Sequence, residues 1–158
     1  MTLLQSCDSK KNNKTTKEET ISKTSVAQST EIKDFGFLKT LPVKKGPLID
    51  STNFDNFKDN NKLTNGQIKL LQLEKVTSVE NTIFYVNYLI KLSQDYRTIV
   101  ISYYHYPSET ELYTTLVNYD NNYYIIDFKT IAYDEIAESW VRAETKVEET
   151  SLTITKCH

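Results

Sequence analysis

From residue 82 onward the apolar side chains follow a two-residue rhythm that suits an antiparallel sheet and not a helix. Six segments carry it, 82–92, 98–105, 111–119, 123–132, 139–147 and 151–155, rich in Tyr, Ile, Val and Thr. The links hold turn chemistry and little else: Asp95-Tyr96, Tyr106-Pro107-Ser108, Asp120-Asn121-Asn122, Asp134-Glu135 and Glu148-Glu149. Asn and Asp tolerate positive φ and bond their own backbone, so they stand in for glycine at such corners. Links this short join antiparallel neighbours, because a parallel pair needs a crossover of about a dozen residues. The expectation is a mainly β fold built as an antiparallel meander of about six strands. Thr98-Ile99-Val100-Ile101 is apolar on both faces. A curved sheet covered by the N-terminal half, or one rolled into a partly open barrel, buries both sides. The last segment is expected at a sheet edge.

Upstream of this rhythm, Thr64-Asn65-Gly66-Gln67 matches a capping box, with Thr64 at the N-cap and Gln67 three residues on. It predicts a short N-terminal helix over 64–75, packed on the sheet through Ile68, Leu71 and Leu70 and weakened by Gly66. A strand over 68–76 is the alternative, and an α+β class stays open. Ser51-Thr52-Asn53, followed by Phe54 and Phe57, suggests a single helical turn that docks two rings. Leu41-Pro42 and Gly46-Pro47 mark extended chain. Apolar composition begins at Asp34-Phe35-Gly36-Phe37-Leu38, so one β-rich domain is expected over 34–158.

Several function classes are disfavoured. Gly36, Gly46 and Gly66 are the only glycines and stand apart, so the chain has no loop of the kind that cradles phosphate, and no cofactor is expected. Lys plus Arg (19) nearly balance Asp plus Glu (21), which argues against nucleic acid as a partner. The balance is uneven along the chain: residues 76–158 hold six basic and twelve acidic groups. Cys7 and Cys157 sit near opposite ends, with only His105 and His158 beside them, so no metal site is expected. Asp120-Asn121-Asn122 could offer oxygens to calcium, but it is too short for an EF-hand loop, and a hairpin turn explains it better.

Leu4-Gln5-Ser6-Cys7 resembles the lipobox of bacterial lipoproteins, with an apolar residue three before the cysteine and a small one just before it. The resemblance implies lipidation at Cys7, a residual signal at 1–7 and a polar tether at 8–33. The composition of 12–30 fits such a tether, since Ile21, Val26 and Ala27 are its only apolar residues. Only six residues precede Cys7, whereas an export signal needs a basic start and an apolar stretch of ~7–15 residues. The resemblance therefore implies a leader that starts upstream or was trimmed. The body, with its Asx-rich turns and Tyr/Ile strands, is similar in style to the small lipoproteins of Bacteroidetes-type bacteria, a likeness without a specific motif or activity. The implied address is the cell envelope, with the lipid anchor as the only membrane contact; the alternative is a cytoplasmic protein with a surface cysteine.

All eleven tyrosines fall between Tyr85 and Tyr133. Tyr103, Tyr104, Tyr106, Tyr113, Tyr119, Tyr123 and Tyr124 lie on adjacent expected strands, where they form either core and cross-strand pairs or a platform for a partner. Trp140 is expected as a core anchor. His105 could act as a base, but no nucleophile stands in recognisable context. Glu109 and Glu111 share a strand face, and Asp134, Glu135 and Glu138 cluster at a following turn. A carboxylate-dependent hydrolase needs two such groups about 5–10 Å apart in a pocket. The leading expectation is a non-enzymatic envelope module that binds a protein or glycan and carries no catalytic residue. The alternatives are a periplasmic inhibitor or immunity-type protein using the acidic half, and that hydrolase.

Overall fold

The computed structural model describes residues 34–108, 110–136, 141–148 and 151–157. Cys7, the tether at 8–33, Glu109, Glu138 and Trp140 lie outside them. A 3-10 turn at Gly36–Thr40 leads into two short strands, β1 (Val43–Lys44) and β2 (Leu48–Asp50). After the helix α1 (Asn65–Leu70) come β3 (Thr82–Ile90), β4 (Arg97–His105), β5 (Glu111–Tyr119), β6 (Ile125–Glu135), β7 (Val141–Val147) and β8 (Leu152–Cys157). The six expected strands are these last six, and β1 and β2 are additional.

The strands form one curved sheet in the order β1-β3-β4-β5-β6-β7-β2, with β8 also on β7. Successive pairs from β3 to β8 are antiparallel, which makes the expected meander. β1 lies parallel to β3, and β2 lies antiparallel to β7. Only Lys45, Gly46 and Pro47 separate β1 from β2, so this segment spans the two ends of the meander and brings the sheet close to a barrel. Buried Asp50 accepts the Tyr88 hydroxyl across the same seam and takes the Thr52 N–H at 2.9 Å.

Both faces of the sheet are buried, as residues 98–101 require. One face packs Phe84, Val86, Ile99, Ile101, Tyr103, Val117 and Tyr119 beneath Leu38, Leu41, Leu63, Leu71 and Leu73 of the N-terminal half. The other gathers Tyr88, Ile90, Val100, Leu116, Ile131 and Val147, where the sheet closes on itself. A bulge lets β3 serve both: Val86 pairs with Ile101, but Tyr88 pairs with Val100. The extra residue, Asn87, moves the following side chains to the opposite face. Asn87 then donates to Ser102 at 2.8 Å, and Ser102 bonds Thr114 at 2.7 Å, so these buried hydroxyls are satisfied.

The helix is shorter than expected. Its capping box forms as the sequence indicated, with Thr64 Oγ1 accepting from Gln67 N–H at 3.3 Å and Gln67 Oε1 accepting from Thr64 N–H at 2.9 Å. Its six residues bury no side chain fully and only Ile68 packs, half-buried, against the core, which corrects the expectation of a helix of about twelve residues packed on the sheet. The main contact is made after it, by Leu71 and Leu73, both fully buried. Gln72 between them takes a left-handed conformation at φ 55° and stops the helix. The turn at Asn53 docks one of its rings on a neighbouring one: Phe57 meets Tyr85 edge-on at 4.9 Å.

Candidate functional site

The antiparallel register places Phe84, Tyr103, Tyr113, Tyr133 and Ala143 opposite one another across β3 to β7. Four of the five carry rings, and these stand in a row: centroids are 5.5 Å apart for Phe84–Tyr103, 5.1 Å for Tyr103–Tyr113 and 5.0 Å for Tyr113–Tyr133. Such separations suit aromatic attraction. Phe84 and Tyr103 are buried, but Tyr113 and Tyr133 are half-exposed.

The row ends at Ala143, where a methyl group takes the place of a ring. A groove of about 640 Å³ lies beside it. Tyr113, Phe128, Thr130 and Tyr133 of β5 and β6 line it together with Val141, Ala143 and Ile154 of β7 and β8. Lys129 and Lys156 reach its rim. The groove is therefore mostly apolar, with ring surfaces inside and cations at the margin, the usual composition of a site that takes a ligand.

At the other end of the same tyrosines sit two carboxylates. Glu111 pairs directly with Glu135 across β5 and β6. Like charges placed so would repel, and phenols intervene. Tyr113 donates to Glu111 at 2.8 Å, and the Tyr133 hydroxyl lies 2.9 Å from Glu135 and 3.1 Å from Glu111. The single Tyr133 proton lies between two carboxylates and is shared between them or bonds one at a time. Burial and the Glu111 carboxylate push the Tyr113 hydroxyl up to about 12. Burial and bonds to Glu135 and Glu111 push Tyr133 up as well. These phenols are therefore fixed donors, and they fix the two ring planes beside the groove. The carboxylates face the phenols and are not among the groove's lining residues.

The other tyrosines singled out from sequence are dispersed. Tyr119 is fully buried and donates to Leu71 O at 2.9 Å. Tyr104 lies on the opposite face, beside Tyr85. Tyr106 is exposed in the β4–β5 turn, and Tyr124 is exposed after the β5–β6 turn. Tyr123, at φ 61°, is stacked on Phe35 at 3.6 Å and capped by Arg97, which donates to its hydroxyl at 2.8 Å. Gln72 holds its carbonyl at 2.8 Å, so Tyr123 locks the hairpin to the N-terminal half. Of the tyrosines named from sequence, only Tyr113 lines the groove.

His105 is half-buried, with Nδ1 2.8 Å from Thr82 Oγ1 and its ring edge-on to Tyr103 and Tyr113. Asp120 caps its own hairpin, its Oδ1 accepting the Asn122 and Tyr124 N–H groups at 2.8 Å each, which is the role of a turn residue. Among the described residues no cluster of three His, Cys, Asp or Glu could hold a metal.

Tyr133, Ala143, Phe128 and Lys156 escaped the sequence reading. One signal could have found Tyr133. Glu111-Leu112-Tyr113 and Tyr133-Asp134-Glu135 read as mirror images on either side of the Asp120–Tyr124 turn, and the register, shifted by two extra residues in β6, sets Glu on Glu and Tyr on Tyr. Comparison of the chain with protein-family models, curated proteins and solved structures finds no match.

Proposed function

We propose that this β domain is a binding module, held at the bacterial cell envelope through a lipid on Cys7, and that its groove receives a ring of a glycan or of a partner protein's side chain. The observation that carries the reading is the end of the aromatic row at Ala143. A ring entering beside Tyr133 would continue a stack that already holds four members. Aromatic walls give contact area at small entropic expense, because Tyr has few rotamers to lose. The tyrosyl bonds to Glu111 and Glu135 support this further by fixing the walls before a ligand arrives. Lipobox-like Leu4-Gln5-Ser6-Cys7 and the polar stretch behind it support the envelope address.

The groove is tested by presenting the full chain to glycan and peptide arrays, with Tyr133→Ala and Ala143→Phe as controls. Ligands retained by the wild type should be lost in both variants, in the first because a wall is gone and in the second because the space is filled. Retention unchanged by Ala143→Phe would sink the groove as the site. The address is tested separately by fatty-acid labelling of wild type and Cys7→Ser from the native locus; no label in either would return the protein to the cytoplasm.

A further inference from the structure

The fork between β6 and β7 leaves part of β6 uncovered. β7 pairs with β6 only at residues 133–135, then turns to pair with β2 through residues 145–147. Among the described residues no strand lies on the outer edge of 126–130, and all five of these residues are exposed. Ile126 is 58% and Phe128 45% exposed, both large apolar side chains on an open sheet edge. Such an edge is a template for another strand.

Charge decides which strand. The sequence Ile126-Asp127-Phe128-Lys129-Thr130 is self-complementary when laid antiparallel on itself with Phe128 at the centre. Asp127 then meets the second copy's Lys129, and Lys129 meets its Asp127, on one face of the joined sheet. Sliding one copy so that Asp127 lies opposite Asp127 sets like charges together, which is unfavourable. Asp127 has one oxygen engaged, taking Asn118 at 2.8 Å. Among the described residues no carboxylate lies within ion-pair reach of Lys129. A lone lysine on an edge strand is a device against pairing, but a lysine two residues from an aspartate selects for its own copy and fixes the register. Extra residues in β6 relative to β5 fall at Ile126, the first residue of this stretch, and at Ile131 just beyond it, and keep the pairing short.

We propose that the outer edge of β6 is a homodimer interface, formed by antiparallel pairing of residues 126–130 with the same residues of a second copy about a two-fold axis at Phe128. An interface of this kind repeats the same patch on both partners and closes on itself, so it stops at two. Phe128, Lys129 and Thr130 of this edge also line the groove, so the second copy's strand borders it. Five residues a side make a small interface, so association belongs in the weak, transient range, with dimer appearing at about 10–100 µM.

Sedimentation equilibrium of the full chain up to about 500 µM reads the state directly. The wild type should dimerise. D127K and K129D, each checked for folding by circular dichroism, should weaken the dimer about tenfold or more, since both symmetry-related charge pairs turn repulsive. An equimolar mixture of D127K and K129D chains should recover it as a heterodimer, because one edge then carries two positive groups and the other two negative. The double variant D127K/K129D should self-associate like the wild type. A wild type that stays monomeric throughout, single variants that dimerise as tightly as the wild type, or a mixture that fails to associate would each overturn the proposal.

Discussion

Asp134 is nearly inaccessible, at 1% side-chain exposure, and it ties three elements together. Its carboxylate accepts the Phe54 N–H at 2.8 Å and the Arg142 Nε–H at 3.2 Å; Arg142 also reaches Asp55 at 3.3 Å. Asp134→Ala would strand the Phe54 N–H in a half-buried turn, a loss of about 1–3 kcal/mol. The Arg142 contact adds about 1 kcal/mol or less, because the guanidinium is a quarter exposed and retains Asp55. The expected loss is therefore about 1–4 kcal/mol, a sizeable part of the ~5–15 kcal/mol typical of a domain. In urea titration followed by tyrosine fluorescence this lowers the midpoint by roughly 0.5–2 M at unchanged slope, for a slope of about 2 kcal/mol per M. Asp134→Asn keeps an acceptor for Phe54 and gives up only the charge, so about half the loss should return. The comparison isolates the hydrogen bond. An Asn variant as unstable as the Ala variant would refute the role given to the Phe54 N–H, and an Ala variant within ~0.5 kcal/mol of wild type would refute the whole account.

Two further outcomes follow from the buried phenols. Tyr119→Phe removes the hydroxyl that reaches Leu71 O and leaves that carbonyl unpaired in the core, so urea unfolding should show a loss of about 1–2 kcal/mol with the sheet unchanged. Alkaline stability depends on Tyr113, whose hydroxyl burial and Glu111 raise from 10.0 to about 12. A raised phenol contributes stability that is complete below pH 10 and is lost as pH climbs towards 12. Burial also raises Tyr103, Tyr119, Tyr88 and Tyr133, so absorbance at the tyrosinate band should rise together with loss of far-UV dichroism; ionisation of these rings in a still-folded sheet would contradict it.

Much of the sheet was legible because its strands announce themselves locally. Segments 98–105 and 111–119 differ from β4 and β5 by at most one residue, since Pro107 and Asp120 punctuate them and both faces need burial. β1 and β2 were not legible. They hold two and three residues, with Val43 and Ile49 exposed, and they are strands only because β3 and β7 offer edges. The bulge at Asn87 is equally silent in sequence: Val86 and Tyr88 look like one face and serve two. The same limit explains the site. A tyrosine cluster was plain, but which ring ends the row depends on the side chain opposite Tyr133, and that is settled by a register ten residues away at Ala143. Tyr119 and Tyr123 read as platform candidates and serve as anchors, because Leu71 O and Arg97 happen to meet their hydroxyls.

The seam made by β1 and β2 has a consequence for the order of events during synthesis. Hairpins from β3 to β6 join neighbours in sequence and can assemble as soon as they leave the ribosome. β2, made long before them, has no partner until β7 appears, and the bond from Phe54 to Asp134 closes a loop of 80 residues. The entropy of closing such a loop must be met before the contacts at the seam repay it, so closure comes late. Until then Leu48 has no Val147 opposite it, and one face of the meander stays wet. A nascent chain halted before β7 is thus an open sheet with an adhesive flank, a state that invites chaperones, proteases or its own kind.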